Sequence, residues 1–172
     1  HKHRRRQRQM CIRDRLNSQH LSNLSLEEFK QKLKPFLKNL NIDIEDHLNV
    51  DILIESMRRS ENTLSGISAA LEPYYKDIKM YDEKAIEKFI KDKSRLVELR
   101  TLLNEIDNWD QETIENVLKD FQVKNELSVP EVNQPIRISL VGSTKSPGLG
   151  LTLSIFDKNQ AIERIDLSLK HI

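Results

Sequence analysis

Apolar residues return at three- and four-residue steps along most of this chain, and that spacing commits it to helices. Leu26, Phe29, Leu33 and either Phe36 or Leu37 form the first set, and Val50, Leu53, Ile54 and Met57 the second. Leu64, Ile67 and Leu71 follow. Each set lays one stripe along a helix for burial. Ser25-Leu26-Glu27-Glu28 is a capping box, in which the serine oxygen meets an early N–H and the glutamate reaches back. The second helix is expected over about 46–59 and the third over about 63–75. Pro35 predicts a bend or an early finish to the first helix, and Pro73 marks the end of the third. Asp82 is expected to cap one long helix to about Asn104, burying Ile86, Phe89, Ile90, Leu96, Leu99, Leu102 and Leu103. Asn108 or Asp110 caps the next, to about Gln122, with Ile114, Val117, Leu118 and Phe121 inward. Lys124–Pro130 reads as a linker before two or three short helices. Ile136–Val141 alternates like a strand, but Pro135 and Gly142 bracket it, which favours helix. The fold class is all-α.

Composition agrees. Charged residues make up 32% and aromatics 5%, with 4 Gly and 5 Pro in 172 residues. That mix suits helices, in one or at most two domains. No apolar run approaches the roughly 18 residues of a membrane span. A single cysteine, Cys11, cannot form an internal disulfide, so a cytoplasmic setting is expected. The net charge of +1 hides an asymmetry: residues 1–15 hold seven Lys/Arg against one acid, Asp14. Removing these from the totals of 28 basic and 27 acidic residues leaves 21 against 26, a net of −5. Such a body has no general attraction for nucleic acid, so RNA binding would need a local basic face. The head 1–15 lacks apolar periodicity and caps. It is read as sequence foreign to the body, against a basic nucleic-acid-binding arm or a targeting segment. Serine and an amphipathic stripe, which targeting would call for, are missing from it.

Gln134–Leu149 is the richest stretch: Gln-Pro-Ile-Arg-Ile-Ser-Leu-Val-Gly-Ser-Thr-Lys-Ser-Pro-Gly-Leu. Pro135 is expected to open a short helix and Gly142 to close it. Ser146 is then expected to cap a second helix with Pro147 at its first position. Arg137 would lie near the amide-rich start of that helix, an arrangement suited to a phosphate or a base edge.

This stretch resembles the C-terminal anticodon-binding region of bacterial-type class I glutamyl-tRNA synthetases. There the pattern Q-P-x-R-x-x-L-x-G-x-x-x-[ST]-P-G-L precedes a helix, continued here by Leu153, Ile155, Phe156, Lys158, Arg164 and Ile165. The likeness extends through Thr63-Leu64, Tyr74-Tyr75, Trp109 and Ile114-Glu115 to Leu24–Leu37, roughly Leu16–Ile172 in all. Leu16-Asn17 matches the family's L-x-W-x-N-x-x-Y-I from its second half onward, so the piece is expected to be truncated at its N-terminus. The resemblance implies a multi-helix bundle or cage: a helical subdomain over 16–70, joining to a catalytic half, and an anticodon-binding domain over 71–172.

It further implies that Arg137, Ser146, Pro147 and Leu149 lie against anticodon bases. An arginine can grip a base edge with two hydrogen bonds or stack on its plane. The alternative is that Arg137 pairs with a glutamate and Ser-Pro-Gly-Leu is only a helix start. An arginine that helps read the first anticodon base stands in the family three residues before a Thr-Leu pair. Here that position is Ser60, before Thr63-Leu64, with Arg58 and Arg59 just upstream. Arg59 substitutes from the next position, or it is a solvated helix end. Asp157 stands where the family usually turns on glycine. Tyr74, Tyr75 and Tyr81 suit core packing better than base stacking, and Trp109 is expected to staple a helix to the core.

The ATP-holding signatures of such synthetases, His-Ile-Gly-His-like and Lys-Met-Ser-Lys-Ser-like, do not occur, nor does a P-loop or G-x-G-x-x-G. His20, His47 and His171 lack metal spacing. The expected function is recognition of the tRNA(Glu) anticodon arm, by a monomer, as part of a glutamate–tRNA ligase. ATP and Mg²⁺ are implied for the parent enzyme and no cofactor for this chain. Two alternatives stand beside it: an independent helical protein-interaction module, and a synthetase paralogue with altered RNA choice, which Ser60 motivates. Glutaminyl enzymes are disfavoured, because their anticodon domains are β-barrels.

Overall fold

Short polar side chains start most of the helices, and where they sit decides the element boundaries. The computed structural model describes residues 21, 23–44 and 50–172. The basic head, Cys11, Leu16-Asn17, His20, His47 and the expected start of the second helix at Asp46 lie outside the described residues. Among the described residues there are nine helices and no strand, so the fold is all-α as expected. The chain divides into two compact units, one ending at Tyr75 and the other running from Lys76 to Ile172.

In the first unit, α1 (Leu26–Asn39) and α2 (Val50–Ser60) both pack on α3 (Leu64–Tyr75). The capping box at Ser25 is formed: Glu28 N donates to Ser25 Oγ at 3.3 Å, and Ser25 N donates to Glu28 Oε2 at 2.9 Å. Pro35 does not end α1 early, for the helix continues to Asn39. The carbonyl deprived of a partner belongs to Gln31, an exposed residue where water can replace the lost bond. Phe29, Leu33, Leu37, Leu53, Ile54, Met57, Ile67 and Leu71 are buried, while Phe36 is exposed. Arg58 is tied inward. It donates to the carbonyls of Leu21 (2.7 Å) and Leu24 (2.8 Å), pairs with Glu55 and lies 4.6 Å over the Phe29 ring.

The second unit contains α4 (Glu83–Phe89), α5 (Lys93–Asn104), α6 (Gln111–Lys124), α7 (Val129–Val141), α8 (Leu149–Ile155) and α9 (Lys158–His171). The single helix expected from Asp82 to Asn104 is two. Asp92 caps α5 afresh, accepting from Ser94 N (2.8 Å) and Oγ (2.6 Å), and buried Ile90 sits between the two helices. α7 touches every other helix of the unit. Its buried positions, Val132, Pro135, Ile136, Ile138, Ser139, Leu140 and Val141, surround its axis, as suits a central helix.

Two expectations about this region are corrected. Pro135 does not open a helix but lies inside α7, which begins at Val129 within the supposed linker. Pro130 occupies its start, and Glu131 accepts from Ser128 N at 2.9 Å. The carbonyl that Pro135 leaves unbonded is that of exposed Glu131, and buried Ser139 Oγ bonds the Pro135 carbonyl at 3.0 Å. Ser146 does not cap the next helix. α8 starts at Leu149, with Gly148 as its N-cap, because the 146–147 segment is drawn into side-chain bonds described below.

Gly142 does end α7, in the left-handed region at φ 74°. A Cβ there would meet Ile78 Cγ2 at 2.9 Å and the Met80 carbonyl oxygen at 3.0 Å. Gly142→Ala is therefore expected to lower unfolding free energy by more than about 1 kcal/mol, read from urea denaturation.

Helix caps also impose a pH dependence. Hydrogen bonds from Ser25, Ser94, Thr113 and Ser128 hold the carboxyls of Glu28, Asp92, Asp110 and Glu131, respectively, below their ordinary values of 4.5 for Glu and 3.8 for Asp. The unfolded chain thus binds more protons in acid. The capping contribution is complete above the ordinary values and is lost as pH falls through the depressed ones. Asp110→Asn keeps a good cap without a titrating group, so its stability is expected to decline less steeply below about pH 4.5 in urea titrations.

Candidate nucleic-acid interface

Arg137 leaves α7 five residues before Gly142, between buried Ile136 and Ile138, so its backbone is held by the core. Beyond Gly142 the chain turns through 143–148 and enters α8. The Gly142 carbonyl accepts from Asp82 N at 2.9 Å, which fastens the exit of α7 to the segment before α4. Ser143 Oγ bonds across to Lys145, accepting from its N–H at 3.4 Å.

The Arg137 guanidinium faces this turn. Nη2 donates to the Pro147 carbonyl at 3.1 Å, and Nη1 approaches the Thr144 carbonyl at 3.5 Å. Ser146 Oγ donates to the same Pro147 carbonyl at 3.0 Å, and buried Thr152 Oγ1 lies 3.4 Å from it and 3.2 Å from Ser146 Oγ. Three donors thus gather on one carbonyl. This is why Ser146 is not a cap: its hydroxyl is committed to the turn. Arg137, Ser146 and Pro147 are half-buried, Lys145 and Gly148 exposed, and Leu149 buried. The guanidinium bonds backbone oxygens of the turn. The structure brings these four predicted residues together. Arg59 and Ser60 belong to the first unit, exposed at the end of α2, where Ser60 Oγ donates to the Met57 carbonyl at 3.1 Å.

Supports for the turn come from distant positions. Trp109 Nε1 donates to the carbonyls of Leu153 (3.1 Å) and Phe156 (3.0 Å), tying down the far end of α8. The tie from Trp109 is therefore a pair of hydrogen bonds. Arg164 donates to the carbonyls of Leu140 and Lys76, both at 2.9 Å, with its guanidinium 4.7 Å above the Phe156 ring. Asp157, in the position of the family's glycine, caps α9 by accepting from Gln160 N at 2.9 Å. Tyr74 is buried, and Tyr81 lies against His171 with ring centroids 4.9 Å apart. Burial raises the Tyr81 phenol above its ordinary value. No spacing marks Thr152 in the sequence, because its partners are brought to it by the fold.

The family model described as "Anticodon binding domain" matches residues 28–169. The chain belongs to the anticodon-binding-domain family. It is 31% identical over 157 residues to a glutamate–tRNA ligase of Myxococcus xanthus, covering 90% of this chain and 33% of that protein. It is 32% identical over 161 residues to glutamate–tRNA ligase 2 of Thermosipho melanesiensis, covering 90% of this chain and 35% of that one. A solved glutamate tRNA ligase from Elizabethkingia meningosepticum shares the fold, with a TM-score of 0.79 at 23% identity, over 91% of this chain and 31% of that one. The anticodon-binding chain thus spans about a third of the length of these relatives. Among the described residues no helix is long and apolar enough to cross a membrane, and no group of three or more His, Cys, Asp or Glu could hold a metal ion.

Trp109→Phe keeps most of the apolar bulk and removes the shared donor. It is expected to cost about 1–2 kcal/mol of stability. Far-UV circular dichroism in urea is the suitable readout, since Trp109 is the chain's single tryptophan.

Proposed function

We propose that this domain binds the anticodon arm of tRNA(Glu) as part of a glutamate–tRNA ligase. One observation carries the reading: Arg137 and the Ser146–Leu149 turn, far apart in an extended chain, are fastened to each other at one surface by bonds to the Pro147 carbonyl. A guanidinium held this way has little freedom left to lose when a base arrives. A guanidinium suits stacking on, or hydrogen bonding to, an unstacked base, and Ser146 and Pro147 belong to the same turn. The family membership and the glutamate–tRNA ligase relatives support this partner.

The reaction of the parent enzyme, joining glutamate to tRNA with ATP and Mg²⁺, is assigned to segments other than these helices. The domain is taken to act in the cytoplasm and as a monomer. Arg59 is assigned a supporting contact to the RNA from the end of α2. Ser60, in the place of an arginine, is assigned a weaker reading of the first anticodon base.

Arg137→Ala in the 172-residue chain is expected to weaken binding of the glutamate anticodon stem-loop by about 1–3 kcal/mol, and to narrow its margin over an anticodon-swapped loop. Arg137→Lys should fail similarly, since a single ammonium does not reproduce the planar fork. Fluorescence anisotropy at fixed moderate salt checks both. An equal loss for every RNA would reduce Arg137 to a phosphate contact.

A further inference from the structure

Beside the 143–148 turn lies a cavity that Arg137 does not fill. It sits between α6, α7 and the start of α8 and holds about 200 Å³, several times the roughly 30 Å³ share of one water. Leu118 and Leu149 give it apolar wall, and Glu115, Lys119, Gln122 and Asn133 bring polar groups to it. Leu149 thus belongs both to the cavity and to the turn that Arg137 holds.

Glu115 is set in this cavity by two neighbours. Gln111 Nε2 donates to its Oε1 at 2.9 Å, one helical turn away. On the other side is Gly150, buried inside α8. A Cβ at 150 would fall on Glu115 Cγ and Oε1, closer than van der Waals contact allows. Glycine inside a helix costs about 1 kcal/mol relative to alanine, and what it leaves here is room for the Glu115 carboxylate. An ionised carboxylate can only accept hydrogen bonds. Beside RNA it repels phosphates and carbonyl-edged bases unless a donor meets it. The exocyclic amino groups of cytosine and adenine are such donors, and an acidic side chain accepting from cytosine N4 is an established pairing geometry.

We propose that this cavity receives one unstacked base of the bound RNA, and that Glu115 selects a base carrying an exocyclic amino group. The proposal rests on the anticodon-arm reading above and names a specificity residue for it. Selection works through the rejected partner as much as the accepted one: a keto group in place of the amino leaves the carboxylate facing another acceptor.

The test uses the 172-residue chain and the glutamate anticodon stem-loop, with each amino-bearing loop base replaced singly by its keto counterpart (cytosine by uracil, adenine by hypoxanthine). For the unmodified chain, one replacement is expected to cost about tenfold in affinity, as for one hydrogen bond to a charged acceptor. In Glu115→Ala the same replacement should cost under about twofold, because the keto loop binds better once the opposing acceptor is gone. Gly150→Ala should reproduce this by displacing the carboxylate. Full retention of the penalty in Glu115→Ala overturns the proposal. So does an equal loss for all loops with a lowered melting temperature, which would make Glu115 a prop for α8. In both cases the unmodified chain still prefers the cognate loop and the anticodon-arm reading stands. If the unmodified chain distinguishes none of the loops, both readings fall.

Discussion

Burial of α7 on all sides is the constraint on which the rest of the second unit depends. Seven of its thirteen residues are buried, and it meets every other helix of that unit. A helix so enclosed has its rotation and depth set by close packing, since interiors yield little to volume changes. The direction in which Arg137 leaves it is set by the same contacts. Gly142 then ends the helix in a conformation that most side chains resist, and the segment before α4 closes on it through Asp82 N. The turn at 143–148 begins from a fixed point.

The candidate site is held by backbone carbonyls more than by opposite charges. Pro147 O gathers donors from Arg137, Ser146 and Thr152, and Arg164 and Trp109 bond four further carbonyls around the same helices. Arg137 and Arg164 both direct guanidinium N–H groups at backbone carbonyls. The body of the chain, residues 16–172, carries a net charge of −5. An acidic body has no general attraction for nucleic acid, so RNA contact there depends on local groups rather than on net charge. Glu115 extends the same economy: its charge opposes RNA unless a matching donor is supplied.

Much of the fold was legible in the residues. The three- and four-residue spacing located the helices, Ser25 and Glu28 marked the start of α1, and Gly142 marked the end of α7. Misreadings fell where a local signal had two meanings. Pro135 suits a helix start, yet it also sits inside a helix when the orphaned carbonyl reaches water, here at exposed Glu131. Ser146 followed by proline has the look of a cap, but its hydroxyl found a better-placed acceptor in Pro147 O. Asp92 was masked by apolar residues that continue in register through Ile90.

The sequence by itself determined that the chain is helical, which faces are buried, and that Arg137 stands a fixed number of residues from a Ser-Pro-Gly-Leu turn. Those are local properties, set by periodicity and by residue chemistry within a few positions. Only the tertiary structure decided what the arginine holds, that Thr152 and Trp109 support the turn, and that Gly150 makes room for Glu115. Each of these joins positions from 5 to 47 residues apart or depends on a close approach between two helices. Such distances are closed by burying apolar faces together, and spacing along the chain carries no record of which groups then meet.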